Sequence, residues 1–347
     1  MDVVECRSEK QWDEVLAQFT DPPFLQSWAW GEFQKKLENE TFRILVKEGR
    51  RVEAAAQLYI VRSRFFTFLY CPRGPLARNK EGLKEILTFL RTKARENGAD
   101  FLFIEPNNVS FFNELVYLLE GFVNNYTIQP QHTLVISLNR SADILFRSFR
   151  KSTRYLIKQA MKKNVTISVF NTLSRWNDFA RLLLETEKRQ KFLLQSSTYL
   201  RRQFTKLAEQ KIAKLFIAYC GDIPVAGAII LQYRGTATYL YAASSENGRK
   251  IGAAHFLVWS AIQNAKQKGC KAFDFWGIAP KDKPKHPWSG ISVFKKGFGG
   301  EVITFPDAYA FPVHASRYKL YRLVTFLRAK RILRIAQRKW LSVVKRE

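Results

Sequence analysis

Three stretches in the second half of the chain decide the fold: LFIAYCGDIPVAGAIILQY (215–233), TATYLYAASSE (236–246) and NAKQKGCKAFDFWGI (264–278). The first reads as a hairpin turning at Gly221, with apolar, β-branched or aromatic residues on both sides, and the second as a third strand ending around Tyr241. A helix follows, its apolar residues recurring at three- and four-residue steps. It stops at Gly269, a residue free to take the left-handed conformation, and the chain re-enters a buried strand. The same order occurs earlier. FRILVKEGRRVEAAAQLYIV (42–61) turns at Gly49, FFTFLYCPRGP (65–75) ends a strand near Tyr70, and KARENGADFLFIEP (93–106) leaves its helix at Gly98. Tyr70 and Gly98 are 28 residues apart, as are Tyr241 and Gly269. Matched patterns at matched spacing point to a duplicated unit in which antiparallel strands lead into a strand–helix–strand crossover.

The expected fold is therefore α/β, two tandem domains of mixed sheet with flanking helices, spanning 1–139 and 140–315, plus a basic amphipathic C-terminal helix over 316–347. A helix Ala142–Lys163 opens the second domain, and Thr172–Gln210 holds one or two more. SVFKKGFGG (292–300) and VITFPDAYAFPV (302–313) are expected to close the second sheet as strands.

With 57 Lys and Arg against 30 Asp and Glu the 347 residues carry a formal charge of +27, and 46% of them are hydrophobic. That composition supports packed cores and excludes a disordered chain. The charge calls for an acidic partner: nucleic acid, an anionic membrane surface or a phosphate-bearing substrate. The opening MDVVECRSEK has neither the apolar core of a secretory signal nor the make-up of a transit peptide, so a cytoplasmic protein is expected. Cys6, Cys71, Cys220 and Cys270 lie far apart and read as reduced thiols, and His132, His255, His286 and His314 have no ligand spacing, so neither metal nor cofactor is expected.

Two segments concentrate the charge. Within Ala142–Lys163, Arg147, Lys151, Arg154, Lys158 and Lys162 recur at steps of three and four and share one side of a helix, with Leu145, Phe149, Leu156 and Ala160 opposite. Residues 317–347 hold eleven basic residues and one acid, interleaved with apolar ones. Such a helix suits the headgroup layer of an anionic membrane, with RNA or its own domain as the other possible docks.

At Gly248-Arg249-Lys250-Ile251-Gly252-Ala253-Ala254 the R-x-x-G-x-A spacing resembles the pyrophosphate loop of the GCN5-related N-acetyltransferase (GNAT) superfamily, in which a glycine turn offers backbone N–H groups to an anion. The chain as a whole resembles the Fem family (FemA, FemB, FemX) of peptidoglycan bridge aminoacyltransferases, built of two such domains. FLQSWAWGEFQ, YCPRGP, FIEP, IQPQHT, FRKSTRYLIKQAMKKNV, YLYAASSENG, FDFWGI and SVFKKGFGG occur in the family's order between residues 24 and about 313. The resemblance implies transfer of an amino acid from aminoacyl-tRNA to a stem-peptide amine of a lipid-linked or nucleotide-linked peptidoglycan precursor, by a monomer and without acetyl-CoA. Both substrates are polyanions, which would account for the charge. The long helical arm of FemA and FemB has no room between Thr172 and Gln210.

Carried over by motif, Lys295 is the electrostatic group at the reacting centre, with Lys296 beside it as an internal control pointing the other way on a strand. Glu105 is the acid that orients or deprotonates the attacking ammonium. Trp30, Lys35, Arg73, Arg154, Tyr199, Tyr239, Tyr241 and Asp274 are implied in substrate binding, Tyr239 and Tyr241 facing the same side two residues apart. Arg147, Lys151, Lys158, Lys162 and Arg249 are implied in holding tRNA or other anions. Gln34 and Gln195 stand where FemX-like members hold the precursor phosphate with a lysine and an arginine. Two other activities fit the pattern: an acyl-CoA-dependent N-acyltransferase of cell-envelope polysaccharide synthesis, and a non-catalytic RNA- or membrane-surface binding protein.

Overall fold

The structure is a computed structural model that describes residues 1–107, 120–190, 195–283 and 286–329. In chain order the elements begin with β1 (Asp2–Glu5), α1 (Glu9–Leu16), α2 (Trp28–Lys35), β2 (Thr41–Glu48), β3 (Arg51–Arg62), β4 (Thr67–Cys71), β5 (Leu76–Ala77), α3 (Lys80–Glu96), β6 (Phe101–Ile104) and β7 (Val123–Asn125). There follow β8 (His132–Ser137), α4 (Ala142–Ser148), α5 (Lys151–Lys162), β9 (Val165–Phe170), α6 (Trp176–Gln190), α7 (Ser197–Glu209), β10 (Ala213–Cys220), β11 (Ile223–Tyr233) and β12 (Thr236–Ser244). The chain then runs through α8 (Glu246–Lys250), α9 (Ala253–Gln267), β13 (Ala272–Gly277), α10 (Ser289–Lys296), β14 (Glu301–Thr304), β15 (Ala308–Pro312) and α11 (Ala315–Ala329).

Two compact units result, each around its own sheet. The first has strand order β1-β2-β3-β4-β6-β15-β7, with β5 pairing on β3; the second, taken from its other end, has β9-β10-β11-β12-β13-β8-β14. The two orders match position for position, and in both the fourth and fifth strands are the parallel pair. The crossover helices follow the sequence logic. In α3, Asn79 caps the N-terminus by accepting from the Gly82 amide at 2.7 Å, while Leu83, Ile86, Leu87 and Leu90 bury one face, and Gly98 ends it at φ +61°. In α9, Leu257, Val258, Ala261 and Ile262 are buried, and Gly269 ends it at φ +78°.

The composition of the units differs from two consecutive domains. Residues 7–38 belong to the second unit, and the chain from Asp307 onward to the first. VITFPDAYAFPV accordingly divides: β14 pairs with β8 of the second sheet, whereas β15 pairs with β6 and β7 of the first. Pro306, which has no N–H to give a ladder, stands at the break. The helix expected over Ala142–Lys163 also breaks, with Phe149 extended at φ −69°, ψ 151° and the Arg150 amide bonded to the Gly297 carbonyl at 2.9 Å. SVFKKGFGG is not a strand. Its first part is helix α10, where Ser292 and Lys295, three apart, are buried and Val293 between them is exposed, the spacing of a helix face and not of a strand. Thr172–Gln210 contains the two helices α6 and α7. In the basic tail α11 is described to Ala329, and the expectation for residues 330–347 falls outside the described residues.

Candidate active site

The second unit brings Lys295 and Asp274 to the end of β13. Parallel pairing of β12 with β13 covers only Thr236–Thr238 against Ala272–Asp274, so beyond it the two strands are no longer hydrogen-bonded to each other. The Asp274 side chain takes hold of the irregular backbone that follows. Its Oδ1 accepts from the Trp276 amide at 2.7 Å and from the Thr133 hydroxyl, whose one proton is shared with the Trp276 carbonyl 3.0 Å away. Trp276 sits at φ +60°, costly for a bulky residue and held by these bonds. At Gly277 a Cβ would lie 2.8 Å from the Trp288 ring and 2.9 Å from Pro130, so only glycine fits.

The turn aims the Gly277 carbonyl at Lys295, whose Nζ donates to it at 2.7 Å. Lys295 is 5% exposed. Burial pulls its amine down to about 8, opposed by the negative charge of Asp274. One turn earlier on α10 the Ser292 hydroxyl donates to the Trp288 carbonyl at 2.7 Å and accepts from the Ala279 amide at 2.7 Å, tying the helix to the chain after β13. The next residue, Lys296, is exposed, so the contrast between the two lysines holds, with helical rotation as its cause in place of strand alternation.

Tyr239 and Tyr241 do not share a side. Tyr241 pairs with Ile229 and Tyr239 with Ile230, leaving Leu240 as an extra residue, a β-bulge that reverses the alternation. Tyr239 joins the core cluster with Ile230 and Phe275, while Tyr241 lies with Gln203 and Tyr199 of α7. Burial raises all three phenols, Tyr241 to about 12, so each remains a hydrogen-bond donor at neutral pH. Tyr199 meets Phe33 of α2 edge-on at 5.4 Å, and Phe33 meets Trp30 at 5.3 Å. Among the described residues Trp30 Nε1 is a buried donor without a partner, while Gln203 bonds to Tyr241, so this cluster has a donor to spare for an acceptor. Trp30, Tyr199 and Tyr241 thus come together, and Tyr239 does not join them.

On the Tyr239 side is a pocket of about 880 Å³, between Ala242–Ser244 of β12 and Ile291, Val293 and Phe294 of α10. Arg189, Arg249 and Lys250 stand on its wall with Glu246, and His255 at its side. Arg189 donates to the Ser244 carbonyl at 2.9 Å, and burial together with the nearby Arg249 lowers its pKa. His255, sequence-read as an ordinary imidazole, packs on Phe294 and Phe298, and burial drops it to about 4, leaving it neutral. In the Arg249–Ala254 stretch three amides are taken up by the chain's own turns. The amides of Arg249, Ile251 and Gly252 are bonded to the carbonyls of Ser245, Asn247 and Arg249, and a Cβ on Gly252, at φ +80°, would lie 2.3 Å from the Leu156 carbonyl oxygen.

Of the other candidates, Lys151, Lys158 and Lys162 are exposed along α5 and Arg147 on α4. Arg154 is half-buried, its Nη1 donating to the Arg147 and Phe149 carbonyls at 2.7 and 2.6 Å, so that nitrogen closes the end of α4. Lys35 is an exposed partner of Glu32 at 2.9 Å. Glu105 and Arg73 lie in the first unit. Glu105 is buried and accepts from the Tyr70 hydroxyl, its amide donating to the Cys71 carbonyl at 3.1 Å; Arg73 is buried at φ +53°. Thr133 and Ser292 carry no signal in the sequence, and His255 only that of an imidazole without ligand spacing, because hydroxyls and a lone imidazole gain meaning only from the partners a fold supplies. Among the described residues no three His, Cys, Asp or Glu side chains gather as a metal site, and no helix is long and apolar enough to cross a membrane.

The fold is shared with solved structures of low sequence identity. It is similar to FemX at a TM-score of 0.83 with 20% identity, covering 92% of this chain and 99% of that one. It is also similar to a tandem GNAT protein from the clavulanic acid biosynthesis pathway, at 0.58 with 13% identity, over 89% and 97%. Two GNAT-like units in tandem define the fold class. Relatives include the lipid II:glycine glycyltransferases of Staphylococcus epidermidis, 20% identical over 84% of this chain and 88% of that protein, and Staphylococcus saprophyticus, 22% identical over 85% and 89%. The FemAB family model matches residues 8–115, 107–221 and 209–325, and the chain belongs to that family.

Proposed function

We propose that this protein transfers an aminoacyl group from aminoacyl-tRNA to the stem-peptide amine of a peptidoglycan precursor, in the lipid-linked form that the named relatives of S. epidermidis and S. saprophyticus suggest. The observation that carries the reading is the amine of Lys295, the one buried lysine among the described residues, fixed at 2.7 Å on the Gly277 carbonyl. The neutral acceptor amine attacks the ester carbonyl, a C–N bond forms and the C–O bond to the tRNA ribose breaks. The amine loses a proton and the ribose hydroxyl gains one. Negative charge grows on the carbonyl oxygen and then on the leaving oxygen, and a cation in a site shielded from water stabilises both more than the ester. Trp30, Tyr199, Gln203 and Tyr241 supply donors to the acceptor peptide. The basic faces of α4 and α5 and the Arg189–Arg249 wall of the pocket supply charge for the tRNA.

The test is reconstitution with lipid-linked or nucleotide-linked precursor and a mixture of charged tRNAs, with mass spectrometry of the product and acetyl-CoA as the competing donor. Product is expected from charged tRNA alone and to vanish with ribonuclease. Lys295→Ala should cut turnover by at least ~100-fold, the effect of losing a preorganised oxyanion group, while Lys296→Ala stays within about twofold. Product from acetyl-CoA, or equal activity of the two variants, rejects the reading.

A further inference from the structure

α11 is docked on the sheet of the first unit by one face. Tyr318 and Tyr321 lie on the Phe101 ring at 5.3 and 4.6 Å, Tyr321 meets Phe66 at 5.5 Å, and Arg317 pairs with Asp100. At the far side Arg322 donates to the Asn124 carbonyl at 2.8 Å. Positions 317, 318, 321 and 322 fall on one side of a helix, and its rotation then places Leu320 and Leu323 opposite. They are 49% and 53% exposed, and Lys319 beside them is exposed too. Next to the helix the turn between β3 and β4, whose Phe65 carbonyl accepts from Arg317, holds the Phe65 ring 50% exposed with the Arg64 guanidinium 5.5 Å over it.

An exposed leucine alone needs no explanation. Large apolar side chains on the outer face of an amphipathic helix, beside an exposed phenylalanine and flanked by cations, do. We propose that this surface seats the protein on an anionic lipid bilayer, with α11 in the headgroup layer and Leu320, Leu323 and Phe65 entering the acyl boundary. Three occupants differ physically. An RNA would use Arg64 and Lys319 and leave the apolar groups in water. A second copy would bring like charges face to face. An anionic membrane satisfies both kinds of group, and the sequence beyond α11, Lys330–Glu347, adds seven basic residues and one acid. The inference deepens the lipid-linked reading by naming the surface that would meet the lipid. Its measurement is independent of any acyl donor.

The experiment is co-sedimentation of the full-length protein with phosphatidylcholine vesicles, with and without phosphatidylglycerol. Wild type is expected to bind the anionic vesicles only. The variant Phe65→Ser/Leu320→Ser/Leu323→Ser, checked for an unchanged thermal midpoint, should bind them about 30-fold more weakly, and Arg64→Glu/Lys319→Glu should weaken binding at low salt by a factor that shrinks as salt rises. The proposal is overturned if the serine variant with wild-type stability binds as wild type does, or if gel filtration shows a dimer that the serine substitutions dissociate. Failure of aminoacyl transfer leaves the vesicle result standing, and failure of vesicle binding leaves transfer to detergent-dispersed precursor untouched.

Discussion

A lysine amine buried among backbone and aromatic groups stays charged only if something offsets desolvation, and here Asp274 is the carboxylate that does so. With Lys295 at about 8, the cation is present below that pH and is lost above it, so kcat should fall as pH rises through 8. Asp274→Asn keeps the hydrogen-bond acceptor toward Thr133 and Trp276 while removing the charge. The alkaline limb of the pH profile should then move to lower pH, whereas a merely structural role would lower kcat without moving the limb. Stability carries the opposite sign. Between about 8 and 10.5 the unfolded chain holds a proton on this lysine that the native one lacks, so native stability gains with rising pH, by about 3 kcal/mol in all from this group. In Lys295→Met that gain should be missing, as denaturant melts at pH 7 and pH 10 would show; an undiminished pH dependence in the variant would mean that the amine is not desolvated as described.

One bulge changes the meaning of the YLY motif. Two residues apart normally means one face, and the sequence alone offers no other reading; the extra residue at Leu240 is set by how β11 and β12 register along their length, which a local pattern does not contain. The consequence is a division of labour across the sheet. Tyr241 lies with Tyr199 and Gln203 on the side that holds Phe33 and Trp30, and Tyr239 lines the pocket beside the arginines. Tyr241→Phe is expected to raise KM for the precursor several-fold with KM for charged tRNA little changed, and Tyr239→Phe to do the reverse. If both variants affect the same substrate, the two sides are not two sites. The hairpins and crossover helices were legible because turns at Gly49 and Gly221, a cap at Asn79 and stops at Gly98 and Gly269 are local signals. α10 was not: Ile291, Val293 and Phe294 favour a strand, and tertiary bonds through Ser292 outweigh that preference.

The duplication was visible along the chain, but which segments complete each copy was not, because a sixth strand from a distant part of the chain leaves no local trace. In the first unit that strand is β15. β6 is buried at all four residues and pairs with β4 on one side and β15 on the other, so removing β15 opens a ladder of backbone groups in the middle of the sheet, and removing α11 with it uncovers Phe101 and Phe66 where Tyr318 and Tyr321 lie. A fragment 1–139, natural if domains were consecutive, should therefore fail to fold. A unit rejoined along its own ladders should fold. Asn125 and Ala308 are paired neighbours on β7 and β15, close enough for a two-residue Asn-Gly turn to replace 126–307, and the Cys6 amide bonds to the Arg43 carbonyl at 2.7 Å, so a short Gly/Ser link can replace 7–38. Circular dichroism melts decide between the two. The rejoined chain ending at residue 329 is expected to melt in one sigmoidal step and the 1–139 fragment to show none; a cooperative melt from 1–139 would mean that β15 and α11 are accessories to the first sheet and not part of its core.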